Sequence, residues 1–322
     1  MLWALCQILI FPGFLFLIVY SLIFEFLDRK MVARLQNRMG PPFYQPLADF
    51  LKLIGKEVII PQGADKKIFP AMPVVALAAV AAAFLYVPTY KISSVYPLEG
   101  DLIVVLYFLT LPTLTFFLAG WYSTSVYATI GSVRVLTQLF SYEAPLLMAL
   151  LAPAILAENT LSLAENALNW SLSGLAHYYS QHPLYVLINI PSLVVTLIAC
   201  QGKLERVPFD LPEAETEIVA GAFVEYSGRL YALFHLAIDA ELVVVSSVIA
   251  AVFLPFYSSN PAVGLALFIA RTLAVLFVLA LFRAVMARVR IEQMVQFCWR
   301  ILAPLAIFQL ALNLILRGVL PQ

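Results

Sequence analysis

Residues 230–254 read LYALFHLAIDAELVVVSSVIAAVFL. Crossing a hydrocarbon core of about 30 Å takes around 20 mostly apolar residues in a helix. This stretch is long enough, and only His235, Asp239 and Glu241 in it can carry charge. An ionised side chain at mid-membrane costs at least about 2.5–3.5 kcal/mol, so Asp239 and Glu241 must face protein or water rather than lipid. His235 and Asp239 stand one helical turn apart and could share a proton. On the next apolar segment, Arg271 is the obvious counter-charge for one of the two acids. The plainer alternative is that such a pair is a buried ion bridge and nothing more.

Working outward, seven further segments have the same character, which gives spans near 2–24, 70–88, 102–122, 142–157, 183–201, 230–254, 262–283 and 300–318. The chain is therefore expected to be an all-α integral membrane protein, one polytopic domain over 1–322 with no soluble domain. Its composition agrees: 63% of residues are hydrophobic and 12% charged, against roughly 25% charged in soluble domains, and mean hydropathy is +0.94. A β-barrel is excluded, because its strands would be short segments of alternating polarity. Pro73, Pro112, Pro153, Pro191 and Pro304 lie within the spans, where neighbouring helices can satisfy the freed carbonyls. The first 24 residues lack a basic leader and a small-residue cleavage site, so they read as a retained span.

Basic residues orient the chain. With the N-terminus outside, sixteen of the nineteen Lys and Arg fall in inside segments, only Lys91 and Arg317 fall outside, and Arg271 sits within a span. That asymmetry fits the positive-inside rule and an even number of spans, with both termini outside a cell membrane. In the first inside segment, Leu47, Phe50, Leu51, Ile54 and Val58 recur at helical spacing, so an interfacial amphipathic helix is expected near 45–60.

Carboxylates crowd between positions 205 and 241, which hold eight of the nineteen acids. If the chain after Pro212 is helical, Glu213, Glu217 and Glu225 share one face. Like charges so placed repel unless some are protonated, which suits groups that pass protons. A solvated loop is the plainer alternative, although the apolar IVAGAF in mid-row argues against it. No redox chemistry can be assigned to the chain itself. Cys6, Cys200 and Cys298 are scattered and read as packing residues, with no CxxC pair for iron–sulfur or zinc. No histidine pair faces across spans for haem, and no phosphate loop or Ser–His–Asp set can be placed. Zero net charge gives no basis for a nucleic-acid partner.

Two inside loops carry a resemblance: EFLDRKMVARLQNRMGPPFYQPLADFLKLIGKE at 25–57 and ERVPFDLPEAETEIVAGAFVEYSGRLYALFHL at 205–236. With SYEAPL at 141–146 and RVRIEQMVQFCWRILAPLA at 288–306, they closely resemble the H-subunit family of respiratory complex I. That family includes relatives in energy-converting membrane-bound hydrogenases and sulfur-reducing complexes. The resemblance implies a membrane-embedded docking and coupling subunit of an oxidoreductase, which links electron transfer in a peripheral module to proton or sodium translocation. It implies a docking surface of Arg29, Arg34, Arg38, Gly40, Pro41, Gln45, Asp49, Lys52, Arg206, Asp210, Arg288 and Arg290. It also places Glu143, Glu213, Glu215, Glu217 and Glu225 on an acidic path, which the span residues His235, Asp239, Glu241 and Arg271 join. Implied partners are peripheral hydrophilic redox subunits on the inside face, antiporter-like and small membrane subunits alongside, and lipid. Iron–sulfur clusters, and a nickel–iron centre or quinone, are expected on or beside those partners, with no cofactor held by this chain.

Two departures bear on the branch. Complex I members usually read AETNRxPFD where this chain reads GKLERVPFD, which puts Lys203 in place of an acid, and the usual AEY after ALFH becomes AID. Both weigh against quinone binding and favour a hydrogenase-type or sulfur-reducing relative over a quinone-chamber subunit. A free-standing secondary transporter is the rival from another class, but its usual internal repeats are absent from the sequence.

Overall fold

The computed structural model describes residues 2–161, 170–212, 214–258 and 260–319. Helices in chain order are α1 (Leu2–Leu9), α2 (Phe14–Leu35), α3 (Gln45–Ile54), α4 (Ile68–Leu85), α5 (Asp101–Tyr122), α6 (Val126–Leu161), α7 (Leu172–Gln181), α8 (Tyr185–Ile188), α9 (Ile190–Lys203), α10 (Glu215–Ile218), α11 (Gly228–Phe253), α12 (Pro261–Val285), α13 (Ile291–Phe297) and α14 (Ala303–Val319). A 3₁₀ turn at Gly221–Phe223 precedes α11, and a π turn at Cys298–Leu302 joins α13 to α14. No strand occurs among the described residues.

Among the described residues, seven helical segments are long and apolar enough to cross a membrane: Leu5–Leu35, Ile68–Leu85, Asp101–Tyr122, Val126–Ala157, Gly228–Phe253, Pro261–Val285 and Ile291–Arg317. The stretch expected as a span at 183–201 is divided into α8 and α9 at Asn189, just before Pro191, which has no N–H to continue the ladder. α9 has 14 residues, about 21 Å of helix.

α11 is the axle. It is apolar on every side, as a helix surrounded by others must be, and 94% of its most apolar window is buried. Around it stand α2, α3, α4, α7, α9 and α12. Leu17, Tyr20, Phe24 and Asp28 on α2 share the buried face, while Val19 turns outward.

Three elements differ from the sequence reading. α6 runs back to Val126 rather than starting near 142, because its polar inner half has partners. Gln138 Nε2 donates to Gly202 O at 2.6 Å and to Phe209 O at 2.9 Å, and Arg134 pairs with Glu217 at 2.6 Å. The interfacial helix α3 stops at Ile54; beyond it Ile59 N donates to Ser227 Oγ at 3.0 Å. Part of the expected outer loop is α7, whose Leu172, Leu175, Ala176 and Tyr179 are fully buried.

Candidate functional site

Charged side chains gather at one end of α2, α11 and α12. Glu25 and Asp28 lie on the buried stripe of α2, three residues apart and thus on one face. Arg29 pairs with Glu25, and its Nη1 lies 3.4 Å from Asp49 of α3. Asp49 also accepts from Gln45 Nε2 at 2.9 Å. Asp28, 1% exposed, accepts through Oδ2 from Arg206 at 2.9 Å and Arg283 at 2.7 Å. One carboxylate thus ties α2 to the loop after α9 and to the end of α12. Arg288 joins Asp210 at 2.5 Å, and Val289 N donates to Pro208 O at 3.1 Å, so the loop before α13 is fastened to the same place.

Two cavities open here. One, of about 210 Å³, lies among α2, α3 and α11 and is lined by Glu25, Arg29, Asp49, Lys52, His235 and Asp239 among others. The second, of about 340 Å³, shares Glu25, Arg29, His235 and Asp239 and continues to Asp28, Glu205, Arg206, Asp210, Arg283 and Arg288. Asp239 reaches the Glu25 side chain. The two carboxyl groups thus adjoin on the wall of both cavities, beside His235. His235 stands edge-on to Tyr231 at 4.7 Å and lines both cavities with Asp239.

A second buried cluster lies deeper. Lys203, the last residue of α9, sits with Nζ 3.1 Å from Glu241 Oε1, both side chains 2% exposed. Its Nζ donates to Leu109 O, three residues before Pro112, which lacks the N–H of its turn in α5, and lies 5.8 Å from the Tyr142 ring. Tyr142, fully buried, meets Thr113 through its hydroxyl at 3.2 Å. Glu143 follows Tyr142 on α6, interacts electrostatically with Lys203, and has a buried Oε2 without a hydrogen-bond partner.

Several expectations need correction. Arg271 is not the counter-charge of Asp239 or Glu241: its guanidinium donates to Leu267 O and Leu254 O and covers the Tyr257 ring at 4.0 Å. Lys203 neutralises Glu241 instead. Glu217 and Glu225 do not share a helix face, because α10 is a single turn and the chain then takes positive φ at Val219 and Gly221. A Cβ on Gly221 would collide with the Pro212 carbonyl oxygen, so the chain folds back there only as glycine. Glu217 is exposed and bound to Arg134. Glu213 lies outside the described residues, as does the side chain of Glu215. Within IVAGAF, Val219 is exposed while Ile218, Ala222 and Phe223 are buried, and Phe223 packs edge-on to Phe116 at 5.2 Å and 4.9 Å from Phe234.

Of the remaining docking residues, Arg34, Arg38, Gly40, Lys52, Arg288 and Arg290 are exposed and Pro41 half-buried. Gly40 takes φ +70, and a Cβ there would press on Ala33 and Lys30 at 3.0 and 3.1 Å, which seats the Gly40–Pro41 loop against the end of α2. Sequence reasoning missed Glu25, Asp28, Arg283 and the partnership of Lys203. For the first two a signal existed, namely acids at i and i+3 closing an apolar span.

A bundle of apolar helices packed around an almost wholly enclosed one, with buried acids opening to a basic face, defines a class: the polytopic integral membrane proteins. The family described as NADH dehydrogenase matches residues 7–314, and the chain belongs to that family. Among its relatives, the H-subunit of NADH-quinone oxidoreductase from Dehalococcoides mccartyi (strain CBDB1) is 34% identical over 304 residues, covering 92% of this chain and 83% of that one. The H-subunit from Geobacillus kaustophilus (strain HTA426) is 32% identical, covering 90% and 87%. A chain of the membrane-bound sulfane sulfur reductase, an archaeal respiratory membrane complex, superimposes with a TM-score of 0.82 at 25% identity, over 97% of this chain and 98% of the other.

Proposed function

We propose that this chain is the docking and coupling subunit of a complex I-like respiratory complex, linking electron transfer in a peripheral redox module to proton or sodium translocation. The observation that carries it is the carboxyl pair Glu25–Asp239 on the wall of two cavities that lie directly beneath the basic surface of Arg29, Arg206 and Arg288. A redox module docked there changes the field at two adjoining carboxyl groups, and Glu143, Lys203 and Glu241 lie further along. The redox cofactors, iron–sulfur clusters foremost, belong to the docked subunits; antiporter-like and small membrane subunits and lipid flank the bundle. Counting α8 with α9 as one crossing gives eight spans with both termini outside, which the basic inner loops support.

Asp239→Asn in the assembled complex tests the proposal. Electron transfer should persist while ion uptake per electron falls. Full coupling in that variant would remove the pair from the path.

The charged lining of the cavity among α2, α3 and α11 suits water and protons better than an apolar quinone tail, which favours a hydrogenase-type or sulfur-reducing branch, as does the likeness to the sulfane sulfur reductase chain. The second reading, a quinone-chamber subunit, is favoured by the 34% and 32% identities to NADH-quinone oxidoreductase subunits. Assays of the purified complex with hydrogen, polysulfide and quinone separate the two.

A further inference from the structure

The Lys203 cluster has a chemistry of its own. Glu241 lies about 20 Å along α11 from its start at Gly228, deep in the bundle. Three elements meet at Lys203: Tyr142 and Glu143 on α6, Cys200 and Lys203 on α9, and Glu241 on α11, all interacting electrostatically. α9 comes this close to α6 because residue 202 is glycine; a Cβ there would stand 3.0 Å from Met294 Cε and 3.4 Å from Tyr142 Cδ1. A carboxylate and a backbone carbonyl meeting at one buried point, with a second carboxyl in the same field, are the kind of oxygen donors that a sodium ion takes. Here Leu109 O and Glu241 are already taken by an ammonium tethered to the chain. A mobile metal cation would have to displace a buried, covalently held one. Among the described residues, no group of three or more His, Cys, Asp or Glu converges to hold a metal ion.

Charge counting shows what the site still accepts. Counted formally, two carboxylates against one ammonium leave a single negative charge; Glu143 Oε2 and Glu241 Oε1 both lack a hydrogen-bond partner, but it is Glu241 that has the ammonium beside it, at 3.1 Å. A proton arriving from water forms an O–H bond on Glu143 and brings the cluster to neutrality without moving Lys203. When it leaves, the same bond breaks and the carboxylate returns. No coordination shell is needed, so a proton fits where a sodium ion does not.

We propose that Lys203 is the built-in cation of the Glu143–Glu241 site, so that this relay carries protons and excludes sodium ions. The inference rests on the reading that these carboxylates belong to the coupling path.

Infrared difference spectra of the reconstituted complex test it, with carboxyl bands assigned by their loss in Glu143→Gln and Glu241→Gln. The probe is sodium chloride, titrated against choline chloride at constant pH and ionic strength. In the native complex the assigned bands should not move with sodium, and a sodium-induced shift overturns the proposal. Lys203→Gln vacates the site, so the same bands should become sensitive to sodium at concentrations at least tenfold below any that affect the native complex, while Lys203→Arg should remain insensitive. An assembled Lys203→Gln complex that ignores sodium would also overturn the proposal; if that variant does not assemble, the native titration decides alone. Ion uptake by the Glu143→Gln complex separates the underlying reading: unchanged coupling alongside sodium-insensitive bands refutes the path and leaves the selectivity standing.

Discussion

Lys203→Met should be the most damaging single substitution in the bundle interior, and its damage should be partly repaired by adding Glu241→Gln. At 3.1 Å and an effective dielectric of about 20, the Lys203–Glu241 attraction is about 5 kcal/mol. Desolvation offsets much of that, and the quantity a variant reports is the cost of stranding the remaining partner, about 3–5 kcal/mol for a buried pair. Met fills the volume of the Lys stem but leaves two acids, Glu241 and Glu143, without a cation. Glu241→Gln is milder, because Lys203 keeps Glu143 and the Leu109 carbonyl. The double variant removes one stranded charge, so it should regain about 2 kcal/mol over Lys203→Met. The assay is the half-life of the detergent-purified complex at a fixed temperature, read by retention of this subunit on native gels. Each 1.4 kcal/mol is about a factor of ten, so Lys203→Met should shorten the half-life by about a hundredfold to a few thousandfold and the double variant by far less. If the double variant decays as fast as Lys203→Met, or Glu241→Gln is as harmful as Lys203→Met, the pairing is not what stabilises this region.

Other substitutions probe different layers. Asp28→Asn releases Arg206 and Arg283 together, so the peripheral module should be retained less well on washing with salt, measured by co-purification. Gly228→Ala forces φ +57 on a residue with a Cβ that would stand 2.5 Å from Glu57 O; strain of at least about 1–3 kcal/mol follows, and less assembled subunit should accumulate in membranes. Glu217→Gln should shift stability by less than about 1 kcal/mol, because the pair with Arg134 is exposed; a larger fall in thermal lifetime would contradict that exposure. Asp65, which caps α4, is held below the ordinary aspartate value of 3.8 by hydrogen bonds from the backbone N–H of Ile68 and then Lys67. Since its folded value is depressed, the cap is fully present above 3.8 and is lost only as pH falls through the lower folded value. Hydrogen exchange at those two amides should stay protected down to that ordinary value.

The helical membrane class was legible because hydropathy acts locally: an apolar run of about 25 residues leaves the backbone no choice but to satisfy itself within a helix. The inner half of α6 was not legible in that way. Arg134 and Gln138 lower its hydropathy, and they stay helical because carbonyls at Leu211, Gly202 and Phe209 receive them, which only the tertiary structure supplies. Glu217 and Glu225 leave a common face for a backbone reason, since the positive φ at Val219 and Gly221 cannot be inferred from charge spacing. Arg271 was assigned to the acids of α11 because it is the basic residue on the next helix. The actual partner, Lys203, stands at the end of α9, and the sequence marked it only as a place where an acid was missing.

That pairing changes how the first departure from the family pattern should be weighed. Taken alone, a lysine at 203 introduces an isolated charge into the bundle interior, which would cost several kcal/mol. Glu241 cancels it, at 3.1 Å, in a place sealed from solvent. The acidic line therefore has two segments of different character. Near the basic face, Glu25 and Asp239 adjoin beside open cavities, and Asp28, one turn from Glu25 on the same helix, holds Arg206. Deeper, Lys203 is paired with Glu241 at 3.1 Å and Glu143 stands in the field of the same ammonium. On the proposed function, a signal entering at the basic surface would meet first the adjoining carboxyl pair and then the cluster whose charge Lys203 sets.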